Sequence, residues 1–415
     1  MKKLLVLAVI FAFVASFAFA EAAVSGQVIG TFNLLQGSNE KDANDDAIDP
    51  NAGGSMSRVR VEVSGGDEDG TFGGWVRLED GMVGNAWWKP MDALLVRLGS
   101  NGGDGFWGKE GVTGWMFYQT ATDTGVTYAG ENVWGWGGPG NTVWGWNEGH
   151  SGFGTDLSTR NAFYGGFDNG LMLEIKPMDI LTFNIGIPFA ASGEFGDIAG
   201  FKGVYGGTTI QADLNLDFGN IALTFVGNRG TFDGDVANAA QVFAYLGMGI
   251  GENMALDVGI GFPIPVKEGE GDTEVTYHNP IGIGVGFKFS GDAFGVKARA
   301  ALTIAGSAKY KSATYNEPMG LLLDVMPFIA INDSATLFIS LGVAYVAANK
   351  QDDFFIDEKA YMAWHFNPYL QIGSEWGPKF LAGIKLWSPS KDHFPVNGSD
   401  AALYWAIPIA LNVGF

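Results

Sequence analysis

Apolar side chains recur at every second position along most of this chain. In the last segment Leu403, Trp405, Ile407, Ile409, Leu411, Val413 and Phe415 alternate with Ala402, Tyr404, Ala406, Pro408, Ala410, Asn412 and Gly414. Near the start, Val24, Val28, Phe32 and Leu34 alternate with Ser25, Gln27, Thr31 and Asn33. Val59, Val61 and Val63 then alternate with Arg58, Arg60 and Glu62, and Ile210, Ala212 and Leu214 with Gln211, Asp213 and Asn215. A period of two belongs to a strand with one apolar and one polar face. Counting such runs predicts about 18 strands, and the weak runs between 71 and 99 leave about 16 as the other count. Their starts fall near 23, 55, 71, 83, 92, 161, 180, 205, 221, 240, 254, 279, 294, 317, 335, 361, 378 and 401.

The connections alternate too. Short turns such as Gly66–Gly70, Lys89–Asp92, Lys176–Asp179, Gly219-Asn220, Gly251–Asn253, Ser290–Asp292 and Asn332-Asp333 are built from residues that tight reversals require. Between them stand longer polar loops. Short turns on one side and long loops on the other, around charged residues that need water, predict an all-β fold: a transmembrane antiparallel β-barrel with a wet lumen. At 16 to 18 strands the interior is too wide for side chains to fill.

The N-terminus supplies a route. Lys2 and Lys3 precede an apolar run from Leu4 to Phe17, closed by Ala18-Phe19-Ala20. A charged stretch, a short apolar stretch and an A-x-A site predict a secretory signal peptide over 1–20, since the run falls short of a spanning helix. The remainder, 21–415, reads as one barrel domain with both ends in the periplasm.

Composition agrees. The chain is 47% hydrophobic and 17% charged, yet has no second long apolar stretch, a conflict that lipid-facing alternate positions resolve. Cysteine is absent, which excludes thiol nucleophiles and thiolate metal sites. The net charge of −21 argues against nucleic acid as a partner. No cofactor is expected: the glycines of Gly247–Gly251 and Gly282–Gly286 alternate with apolar residues in strands, without the helix a dinucleotide loop needs. The four histidines show no zinc spacing, and Asp42, Asp45, Asp46 and Asp49 lack the pattern of a calcium loop. No nucleophile motif stands out, so no catalytic residue is assigned and the chain is not expected to be an enzyme.

Two sets of residues carry the candidate function. Arg58, Arg60, Arg77 and Arg97 share the polar phase of neighbouring strands, where a guanidinium cluster would set a field across the channel. Ordinary lumen polarity, with the arginines paired to Glu62 and Glu79, is the other reading. The segment 101–158 has almost no strand periodicity and is rich in tryptophan. A loop of that size is usually functional or disordered, and aromatics this dense argue against disorder. Trp134, Trp136, Trp144 and Trp146 would offer stacking faces to sugar rings, or pack a plug on one another.

A signal peptide, a large antiparallel barrel, a terminal Phe415 and a long loop after the fifth strand together resemble the Gram-negative outer-membrane porins. That resemblance implies a homotrimer in the outer membrane of a diderm bacterium. It also implies insertion by the barrel assembly machinery through Phe415, and passive diffusion of small hydrophilic solutes. In that family a loop folded into the barrel faces an arginine ladder. By position 101–158 would be the loop, and the four arginines, with Glu62 and Glu79, the constriction. Here the loop is longer and richer in Trp-Gly than usual, so Asp104, Glu110, Asp123 and Glu131 are only candidates to face the arginines. A saccharide-selective porin with an aromatic slide and a surface adhesin on a barrel scaffold are the alternatives.

Overall fold

The computed structural model describes residues 23–39, 51–79, 82–100, 127–128, 131–132, 169–188, 208–226, 231–232, 235–236, 240–264, 266–268, 275–278, 281–304, 307–310, 313–316, 320–346, 361–373, 378–388 and 403–414. Eighteen antiparallel strands form its wall. They are β1 (Ala23–Ser38), β2 (Asn51–Gly66), β3 (Phe72–Leu78), β4 (Met82–Met91), β5 (Leu94–Ser100), β6 (Asn169–Met178), β7 (Leu181–Pro188), β8 (Thr209–Leu216) and β9 (Gly219–Val226). The second half holds β10 (Ala240–Ile250), β11 (Met254–Ile264), β12 (Ile281–Ser290), β13 (Phe294–Ile304), β14 (Gly320–Asn332), β15 (Ala335–Val346), β16 (Tyr361–Gly373), β17 (Lys379–Gly383 with Lys385–Ser388) and β18 (Tyr404–Gly414). Each strand pairs with its neighbours in sequence, and β18 pairs with β1, for example Val28 opposite Val413, which closes the ring. Among the described residues there is no helix long and apolar enough to cross a membrane.

Odd-to-even hairpins and even-to-odd hairpins turn at opposite ends. The even-to-odd turns are short: Asp67–Thr71, Asp92-Ala93, Asp179-Ile180, Asp217-Phe218, Gly251–Asn253, Gly291–Ala293 and Asp333-Ser334. Gly70 and Gly251 take positive φ, 64° and 65°, in two of these reversals, a region closed to most side chains. The turn expected at Gly219-Asn220 lies two residues earlier, because Gly219 already pairs with Leu216 and opens β9. Likewise β4 runs through Lys89-Pro90-Met91 and reverses only at Asp92-Ala93.

The side-chain distribution is inverted relative to a water-soluble protein. Along β8, Thr209, Gln211 and Asp213 are buried while Ile210 between them is exposed. The same holds around the ring: Val59, Leu98, Leu223, Val285, Leu323 and Val413 point outward into open space. Asn184, Asp257, Asn367 and Lys385 are enclosed. Leaving such a belt in water would cost roughly 25 cal/mol for each Å² of apolar surface. Polar pairing instead lines the inside, where buried groups must find partners. At the short-turn end, Phe72 stacks on Trp88 at 6.3 Å between ring centres, and Phe218, Phe294 and Phe380 join them on the exposed surface. Aromatics gathered at one rim of an apolar band mark the boundary between hydrocarbon and water in barrels.

Candidate functional site: two walls of the lumen

The first wall is β2 to β5. Val59 and Leu78 are exposed outside, so Arg60 and Glu62 on β2 and Arg77 on β3 face inward. The turn Asp67–Thr71 fixes the register that sets Glu62 directly opposite Arg77. Arg77 Nε donates to Glu62 Oε1 at 2.5 Å, and Arg60 Nε donates to Glu79 Oε2 at 2.9 Å. Arg60 also reaches Glu62 at 3.7 Å, so Glu79, Arg60, Glu62 and Arg77 form one chain of alternating charge. The Arg77 guanidinium lies 5.2 Å from the Trp75 ring centre, on the same inward face.

Arg97 occupies the inward phase of β5, opposite Trp87 and Met172, and makes no ion pair among the described residues. Arg58 lies in β2 at the position opposite Ile29. Of the loop 101–158 only 127–128 and 131–132 are described, so Trp134, Trp136, Trp144 and Trp146 and the acids Asp104, Glu110 and Asp123 lie outside the described residues. So do Phe415, the acidic run Asp42–Asp49, and His150 and His393. Glu131 is placed only by its backbone, opposite Tyr128 in a two-residue ladder.

Sequence reasoning passed over the second wall, β11 to β18. Across it the register aligns inward residues in rows. Asp257 lies opposite Gly286, which lies opposite Arg299, then Asp324, Gly342, His365, Trp387 and Tyr404. One row nearer the short turns, Lys288 lies opposite Lys297. Arg299 Nε donates to Asp324 Oδ2 at 2.5 Å with both side chains buried. Ser340 Oγ and His365 Nε2 are 2.8 Å apart, also buried. A third network ties Asn184 and Gln211 to Asp213 at 3.0 and 2.8 Å, and Thr224 to Gln211 at 3.0 Å, on β7 to β9.

Ser340, His365 and Asp324 therefore do converge, although the sequence offered no such set. Asp324 and His365 both crowd over Gly342, where an added Cβ would meet them. The group still lacks what hydrolysis needs. Ser340 is wholly enclosed, out of reach of an incoming substrate, and Asp324 Oδ2 is taken by Arg299. Aromatic pairs on this wall, Phe338 on Tyr369 at 5.1 Å and Trp387 on Tyr404 at 5.7 Å, are buried and pack the wall rather than present faces to solutes. Among the described residues no three His, Asp or Glu side chains gather as a metal site.

One signal for the second wall was present in the sequence. Lys288 and Lys297 flank the tight reversal Gly291–Ala293, and each alternates with apolar neighbours: Phe287 and Phe289, Val296 and Ala298. A hairpin turn that short fixes which residues face each other.

No protein-family model matches this chain, and no curated protein matches it. Solved structures align over nearly its whole length at very low identity. An anion-selective porin from Comamonas acidovorans is 11% identical over 95% of this chain and 100% of its own, with a TM-score of 0.49. OpdQ of Pseudomonas aeruginosa is 8% identical over 94% and 98%, at 0.48. The outer membrane channel DcaP of Acinetobacter baumannii is 11% identical over 96% and 98%, at 0.45. Likenesses this distant say nothing of what the present chain conducts, and the barrel stands on its own closed pairing.

Proposed function

We propose that the protein is an outer-membrane porin of a diderm bacterium, passing small hydrophilic solutes by diffusion through a water-filled channel. One observation carries this reading. A closed ring of 18 strands holds its charged and polar side chains inside and its large apolar ones outside. Lipid satisfies the outside, and a ring of that size leaves an aqueous channel inside. No covalent chemistry or cofactor is involved; sorting is by size and by the field of the wall.

Several finer features belong to this reading. Residues 1–20 direct export, and Phe415 closes a final strand recognised by the assembly machinery. The chain assembles as a homotrimer. Arg58, Arg60, Arg77 and Arg97, with Glu62 and Glu79, line the narrow part, and the loop 101–158 narrows it from the other side. The test is conductance of the refolded mature protein in a planar bilayer. Stepwise current increases are expected on insertion. A silent bilayer, with folding verified by heat-modifiable gel mobility, would sink the reading and leave a closed barrel with an adhesive or structural role.

A further inference from the structure

The two walls treat their inward aromatic rings differently. On β15 to β18, Phe338, Tyr369, Trp387 and Tyr404 are buried, and each stacks on a partner ring. On β3 and β4, Trp75 and Trp87 face the lumen and stay partly exposed to it. Their neighbours fix this phase: Phe72 and Leu78 are exposed outside, and Trp88 points outward to stack on Phe72. An aromatic belt at the lipid boundary therefore accounts for Trp88 and not for Trp87.

Glycine makes the place for the inward ring. Gly66 and Gly73 lie opposite each other on the inward face of β2 and β3, and Gly73 lies opposite Trp87. The Trp87 indole folds over Gly73, where an added Cβ would run into ring atoms Cζ2, Cε2 and Nε1, and its Cζ2 reaches Gly66. Glycine inside a strand often marks such a close approach. The ring is thus held against the wall. Trp75 is its diagonal neighbour, a separation of roughly 7 Å in a sheet, and carries the Arg77 guanidinium at 5.2 Å. Among the described residues the two indoles make no ring contact with each other.

Polar groups complete the surroundings. Arg97 is the cross-strand neighbour of Trp87, and its N–H donors have no ion-pair partner among the described residues. Glu62 and Glu79 accept from Arg77 and Arg60, and these four side chains remain 14 to 31% exposed. Charges matched in pairs present donors and acceptors without a strong net field. That combination suits hydroxyl groups better than ions. A sugar ring answers both halves of the site, with an apolar C–H face for the indoles and a rim of hydroxyls for the polar groups.

We propose that Trp75 and Trp87 form a stacking step on the lumen wall for neutral sugar rings, with Arg97, Glu62 and Glu79 bonding the hydroxyls. The inference rests on the pore reading above and names a solute class for it.

The test uses the refolded mature chain in a planar bilayer, with maltotriose added in steps and the ion current recorded. A saturable fall in current is expected, and sorbitol, which has hydroxyls but no ring, should produce none at the same concentrations. Trp87→Ala should raise the half-blocking concentration severalfold. Trp75→Ala should raise it by less, since Arg77 already lies over that ring. Trp88→Phe, on the outward face, should leave it unchanged. Gel mobility shows that each variant folds, and Arg97→Gln, which should also weaken the block, serves if Trp87→Ala does not fold. A conducting protein that maltotriose does not block, that sorbitol blocks equally, or whose block is indifferent to Trp87→Ala and Arg97→Gln overturns the stacking step and leaves the pore. No conductance at all overturns the pore reading, and this inference with it.

Discussion

Arg299 and Asp324 meet at the same 2.5 Å as Arg77 and Glu62, but the two pairs live in different media. The first pair is enclosed, at 8% and 2% exposure, while the second stands partly in water, at 14% and 31%. Enclosure changes what a pair does. Two charges taken out of water lose hydration that their attraction only roughly restores, and removing one partner then strands the other. A half-wet pair gains little and loses little, because solvent screens it and can replace either partner. The second wall therefore depends on both partners of its enclosed pair, whereas the first holds pairs whose loss water can make good.

The largest expected effect comes from breaking the enclosed pair. Asp324→Ala should destabilise the barrel by about 3–5 kcal/mol, because Arg299 is left charged and without its carboxylate. Glu79→Gln on the other wall should lose no more than about 1 kcal/mol. Urea unfolding of both variants in the same lipid bilayers, followed by tryptophan fluorescence, reads the contrast. Equal losses would show that the two walls do not differ in the way their exposure implies.

A second break is steric. Gly342 leaves the space that Asp324 and His365 occupy, and a Cβ there would meet both side chains. Gly342→Ala should therefore lose about 1–3 kcal/mol through forced displacement of the two. It should also weaken the Ser340–His365 contact, visible as a change in the His365 ring resonances. Gly249, with open space at its Cβ, is the control, and Gly249→Ala should be close to neutral. If both substitutions behave alike, the crowding around Gly342 is not what holds that wall.

How much of this was legible beforehand follows from how far apart the partners lie in the chain. Alternation is a property of adjacent residues, so the strands and their outward faces could be read directly. The starts of β1, β10, β11, β13, β15 and β16 fall where the pattern placed them. The beginning of β2 was missed, because Asn51 to Ser55 pair with β1 through the backbone and a Gln36–Asn51 side-chain bond of 2.8 Å, without an apolar face. Sites were harder. Glu62 and Arg77 face each other across a short turn, so a careful register count finds them, and the same count would have found Lys288 and Lys297. Arg299 with Asp324, and Ser340 with His365, meet across the long-loop connections β13–β14 and β15–β16. A one-residue slip there would turn either partner outward, and sequence alone carries no marker of that register.

The smallest expected effect lies at the wet limit of the same chemistry. Lys89 and Asp92 pair at 2.9 Å across a short turn outside the span, with Asp92 fully exposed. The Lys89 hydrogen bond, and then its charge, hold the Asp92 carboxyl below its ordinary range. A carboxyl depressed in the folded state favours folding above its unfolded value, and that contribution disappears as pH falls through the folded one. Full exposure makes this contribution slight, so the signature belongs in the titration rather than in stability. Lys89→Met should return the Asp92 titration midpoint upward to that of an ordinary carboxylate, followed by NMR of the carboxyl carbon. The urea midpoint should stay where it was. A measurable loss of barrel stability in Lys89→Met would mean that pairing in open water matters here as much as pairing in the wall, and the contrast between the two walls would lose its physical cause.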